Sequence, residues 1–210
     1  MTAILRPALA VALLLVASPA TAQCECLWGG SFIDVQADTD LVIASTVLSR
    51  RGNSIDIEVG RRLRGDEDRS PLRVWLRTGD YCRPPVDTFP PGTEWVMALQ
   101  RIDELPEGGF NPATPNVSYG RVGDYTLSSC GGYYLERGGE WVSGNLVDAP
   151  RWEYAPKMTP VLLDLVEGHM AGSVSRESLK KATEEDPALR ELILDTKAFL
   201  RKETQVPIEE

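Results

Sequence analysis

Four cysteines, one histidine and 31 carboxylates are the side chains of this 210-residue chain with the most chemistry to offer. Cys24 and Cys26 flank Glu25, while Cys82 and Cys130 stand far from that pair and from each other. A structural zinc site draws its ligands in compact pairs of the C-x-x-C kind. A thioredoxin-type dithiol needs two residues between its sulfurs, and here there is one. An even set of cysteines in an exported chain reads instead as a disulfide framework. His169 stands alone, and no G-x-S-x-G elbow accompanies it. One histidine leaves catalytic zinc without ligands. No phosphate loop and no dinucleotide fingerprint is present. The expectation is therefore no metal, no cofactor and no catalytic residue. The carboxylates keep one alternative open, an uncharacterised hydrolase built on two of them.

The compartment follows from the first residues. "MTAILRPALAVALLLVASPATA" has an Arg-containing start, an apolar run and a small-x-small end at Ala20-Thr21-Ala22. That is the layout of a secretory signal peptide, and its apolar run is too short to span a bilayer. Cleavage falls between Ala22 and Gln23. Gln23, where a lipid-attachment signal needs a small residue, speaks against a lipoprotein. The chain is expected to be periplasmic or extracellular, with no membrane contact in its mature form. The formal charge is −9, and loss of Arg6 with the leader moves it to −10. An acidic chain without a basic patch disfavours nucleic acid and anionic membrane surfaces as partners.

The elements that must position these residues are mostly strands. "DLVIASTVLSR" (40–50) is rich in β-branched residues. "SIDIEVG" (54–60) and "LRVWLRT" (72–78) alternate apolar and polar positions, the period of a half-buried strand. "EWVMALQRI" (94–102) is more uniformly apolar, as a central strand would be. "DYTLSSC" (124–130) and "EWVSGNL" (140–146) are weaker candidates. Glycines and prolines punctuate between them. Short strands without βαβ alternation indicate a barrel or a sandwich. The five tryptophans, scattered among these segments, read as core rather than as a sugar platform.

The last third changes character. Thr159-Pro160 reads as the cap and first residue of a helix ending at Gly172. Asp186-Pro187 repeats the signal before an apolar stripe from Leu189 to Leu200, which reads as packing on the domain. "SRESLKKATEED" between them reads as a short helix or turn. The Gly- and Pro-rich segment 106–123 has no periodicity, and loops of that length are functional or disordered. It carries Phe110 and Tyr119, either contact aromatics or pins to the barrel, and a glycosylation-type Asn116-Val117-Ser118.

The order of these pieces resembles the netrin-like domain, as in the tissue inhibitors of metalloproteinases. The residues that carry it are Cys-x-Cys directly after a leader, then "ADTDLVIASTVL", "RLRG", "YCRP", "GTEWVMALQ" and "LSSCGG", over residues 24 to about 146. The resemblance implies a mainly β fold with C-terminal helices, a five- or six-stranded OB-type β-barrel stapled by two disulfides. It implies pairing of Cys24 with Cys82 and of Cys26 with Cys130. The expected organisation is a leader over 1–22, a barrel over 23–150 and a helical segment over 151–210. In the inhibitors the first cysteine is the mature N-terminus, and its amine chelates the protease's zinc. This sequence departs from them: Gln23 precedes Cys24, Glu25 replaces a small or apolar residue, and there are fewer cysteines. The resulting expectation is a module that binds an unidentified protein, with no catalysis. Its contact candidates are Glu25, Leu27, Trp28, Phe110 and Tyr119. Metalloproteinase inhibition through the Cys24 amine is the alternative, should the mature chain start there.

Overall fold

The computed structural model describes residues 24–79, 81–105, 109, 118–148 and 158–184. The leader with its Ala22–Gln23 junction, Phe110, Trp152 and the stripe from Leu189 lie outside the described residues.

Two long strands set the frame. β1 (Leu41–Arg51) pairs antiparallel with β4 (Glu94–Arg101), with Leu41 opposite Leu99 and Thr46 opposite Glu94. Their central stretches, residues 41–44 and 96–99, are continuous apolar runs because both faces are covered there. Leu41, Ile43, Met97 and Leu99 turn into one core with Ile55, Ile57, Leu72 and Val74. Their neighbours Val42, Ala44, Val96 and Ala98 turn into a second core with Phe32, Leu135, Val142, Leu163 and Leu179. The first core fills a barrel. The second lies between its outer wall and the helices.

Closure follows from the pairing order. β1 pairs with β2 (Ser54–Arg64), β2 with β3 (Leu72–Trp75), and β3 runs parallel to β5 (Tyr125–Thr126). β5 pairs with β4, which returns to β1. The result is a closed five-stranded barrel of OB type. β6 (Tyr134–Gly138) also runs antiparallel to β4, beside Glu94–Met97, while β5 lies beside Gln100–Arg101. β5 and β6 are one line along β4, interrupted by residues 127–133. β7 (Trp141–Gly144) and the two-residue β8 (Val161–Leu162) extend the sheet.

Several elements differ from the sequence expectation. The strand expected over 124–130 is only Tyr125–Thr126, because the chain leaves the ladder to carry Cys130 to Cys26. β6 went unseen behind Gly131-Gly132, and Gly139-Glu140 is its hairpin turn to β7. The helix expected from Thr159 begins at Leu163, because Val161 and Leu162 pair with β7 first. Thr159 instead donates its hydroxyl to the carbonyl of Glu184. This helix, α2 (Leu163–Met170), stops before Gly172, whose φ of +78° suits glycine. α3 (Arg176–Thr183) fills the stretch read as a short helix or turn. A one-turn helix over Phe32–Val35, α1, has no counterpart in the sequence reading; its first amides donate to the carbonyls of Asn145 and Leu146. Of the tryptophans, Trp75 is fully buried, Trp28 and Trp95 are half-buried, and Trp141 is exposed.

Candidate functional site

Residues 24–30 have no helix or strand of their own. Two disulfides hold them. Cys24 is bonded to Cys82 across 58 residues and Cys26 to Cys130 across 104, with Cα separations of 5.1 and 5.9 Å. The pairing is the one the netrin-like resemblance implies. Two backbone bonds complete the attachment: Gly29 N–H donates to the Cys130 carbonyl at 2.6 Å, and Gly132 N–H to the Gly30 carbonyl at 2.9 Å. Gly132 is fixed by this approach, since a Cβ there would lie 2.6 Å from the Asn145 carbonyl oxygen. Exposure alternates along the segment, so it presents side chains as an edge strand does. Cys24, Cys26 and Trp28 are half-buried, while Glu25 and Leu27 point outward. Leu27 is 87% exposed, the most exposed large apolar side chain among the described residues. The result is a ridge with an acid and an isobutyl group at its crest, fixed at two covalent points two residues apart.

The sulfurs of Cys24, Cys26 and Cys82 lie within 4.8 Å of one another, a spacing a metal could use. All four cysteines are bonded, however, and a disulfide sulfur is not the thiolate that metal ligation needs. His169, on the last turn of α2, is engaged through Nδ1 with the Val174 carbonyl at 2.9 Å. That hydrogen bond ties the helix end to the following turn.

Tyr119 is half-buried and packs on Tyr81, with ring centroids 4.8 Å apart. Its carbonyl accepts from the buried Arg83 at 2.7 Å. Beside it, the Asn53 amide donates to the carbonyls of Leu76 and Ser118 and accepts from Ser118 N–H. Tyr119 thus serves as a pin for the end of the 106–123 segment. Asn53 was visible in the sequence only as part of a turn signal. Its role depends on Ser118, 65 residues away.

The titration pattern is structural. Hydrogen bonds from Arg69 hold the Glu67 carboxyl down at about 2. Lys180 and Arg176 do the same for Asp148. Burial would raise Asp56, but hydrogen bonding and charge from Arg73 outweigh it and lower the group. Burial and the hydrogen bond to Glu67 push the Tyr125 phenol up to about 12. Every one of these carboxylates is displaced toward its charged form by a basic partner, whereas a general acid needs displacement the other way.

A concave feature lies on the adjoining wall. A cavity of about 440 Å³ is lined on its apolar side by Pro84, Pro85, Trp95 and Tyr134. Phe89 packs edge-on to both aromatics, with centroid separations of 5.0 and 5.2 Å. Pro84 and Ser129 of the lining are close in sequence to Cys82 and Cys130.

No family model matches the chain, nor does any curated protein or solved structure. The site therefore rests on its own geometry. Of the residues singled out in the sequence, the structure brings the four cysteines, Glu25, Leu27 and Trp28 into one ridge. Tyr119 is placed apart, as a loop pin. The cavity residues escaped the sequence reading because they come from β4, β6, β7, Arg77, the stretch 84–88 and Ser129 between β5 and β6. Only Trp95, an aromatic on a strand, hinted at them. No helix among the described residues is long and apolar enough to cross a membrane.

Proposed function

We propose that this chain is an exported, disulfide-stapled OB-type module of netrin-like kind, which acts by binding a protein partner through the ridge Glu25–Gly30 and performs no catalysis. The observation that carries the reading is Leu27, 87% exposed on a segment held by two disulfides. An apolar side chain so exposed loses nothing in packing when replaced and gains burial only against a partner. Fixing its backbone in advance lowers the entropic cost of association. The disulfides belong with an oxidising compartment and so support export. His169, bound to the helix end, and carboxylates held in ion pairs support a non-catalytic role.

The test is capture by the mature protein, with and without Leu27→Asp. Loss of a specific partner in the variant, with unchanged circular dichroism, supports the reading. A partner retained at full strength refutes the ridge as its binding surface. N-terminal sequencing of the exported chain decides the mode of contact. A chain starting at Gln23 leaves Cys24 with an amide nitrogen that cannot ligate zinc, so contact is by side chains. A chain starting at Cys24 would instead free the amine for chelation of a protease metal.

A further inference from the structure

We propose that the 440 Å³ cavity beside Trp95 is a second binding site, independent of the ridge, and that its ligand is a saccharide. Its volume lies in the range of small-ligand sites, which are mainly apolar with a few placed polar groups. A cavity of this size accommodates one or two sugar rings.

The polar groups decide the ligand class. Ser129, Ser143, Thr88 and Glu136 line the cavity, and none of their side chains has a hydrogen-bond or ion-pair partner among the described residues. Arg77 joins them; its Nε donates to the Arg83 carbonyl, and its terminal nitrogens have no partner among the described residues. Ser129 is 5% exposed overall, so its free hydroxyl sits in the cavity wall rather than in open solvent. A hydroxyl both donates and accepts, a carboxylate accepts and a guanidinium donates. That mixture suits a ligand whose own groups do both, which is the chemistry of a polyol ring. Trp95 and Tyr134 supply the apolar wall that the C–H face of such a ring requires.

Other ligand classes fit less well. One Arg opposed by one Glu gives no net field for a phosphate or a polyanion. A lipid chain would leave the hydroxyls of Thr88, Ser129 and Ser143 covered and unpaired. A peptide adding as a strand needs a run of free backbone groups, and the lining offers side chains instead.

The full exported chain should be titrated calorimetrically with the neutral trisaccharides chitotriose, cellotriose, maltotriose and xylotriose. At least one should bind saturably with a Kd below about 1 mM. Glu136→Gln and Ser143→Ala should each weaken that binding by about tenfold, the usual scale for losing one hydrogen bond to a charged or buried group. Leu48→Ser, exposed and away from the lining, should leave it unchanged. The proposal fails if none of the four binds at 10-fold that concentration (about 10 mM). It fails equally if binding is indifferent to both cavity variants, or if a proline-rich peptide occupies the cavity and no saccharide does. Partner capture through Leu27 is read separately, so either site can fail without the other.

Discussion

The β1–β4 wall and the ridge at Cys24–Gly30 are both extended chain, yet they are held in opposite ways. The wall has a continuous ladder and a core on each face, so Val42, Ile43, Val96 and Met97 are all fully buried. Among the described residues, the ridge has two backbone hydrogen bonds to the rest of the fold, two disulfides and an almost naked leucine. Position in the wall is a consequence of burial. Position in the ridge is covalent, which leaves its outward side chains free of any packing duty. A surface fixed in that way can present apolar area to a partner without drawing on the core.

The largest effect should come from removing a staple. Cys26→Ser with Cys130→Ser opens a loop of 104 residues, for which the chain-entropy model gives about 4 to 5 kcal/mol as an upper figure. Denaturant melts should show the loss, and hydrogen exchange should show residues 24–30 released while β1 and β4 stay protected. Equal deprotection of the wall would erase the contrast.

Next is a core truncation. Phe89 is fully buried against Trp95 and Tyr134. Phe89→Ala should cost about 3 to 5 kcal/mol, read as a shift in the denaturation midpoint.

A smaller effect is expected at the helical cover. Arg176 of α3 reaches both Asp34 and Asp148, and Lys180 reaches Asp148 at 2.7 Å. The Asp148 carboxyl is held at about 2, below its ordinary 3.8. A depressed pKa contributes stability above the ordinary value, and that contribution is lost as pH falls from about 4 toward 2. Asp148→Asn should flatten this part of the stability–pH curve. The change should be slight, because the pair is at the surface.

The smallest expected change is in the ridge itself. Leu27→Ser should leave stability within about 0.5 kcal/mol of the parent, since it touches no core. A larger loss in the same melt would mean that Leu27 packs, and would place it with the wall.

The same division governs what the sequence could show. β1, β2 and β4 were legible because their periodicity and β-branched content report burial directly. The barrel closure, the β3–β5 parallel pairing and the β6 strand were not. Each depends on segments distant in sequence, and β5 has only two ladder residues. The strand expected over 124–130 failed for the same reason that the disulfide succeeds: Cys130 must leave the ladder to meet Cys26. At the ridge, the cysteines were legible as a framework, and the pairing came from resemblance. Leu27 was a contact candidate through the resemblance alone, because its exposure is set by the two disulfides that hold the segment rather than by any local periodicity. The cavity was illegible for a further reason: its hydroxyls and charges are ordinary surface residues until the fold converges them.

The most direct test of the central claim replaces Leu27, or Leu48 as a control, with a photo-crosslinking residue in the full chain. Illumination in the presence of the native partner pool should give one discrete protein adduct from position 27 and none from position 48. Adducts from both positions alike, or from neither, would contradict the assignment of the ridge as the binding surface.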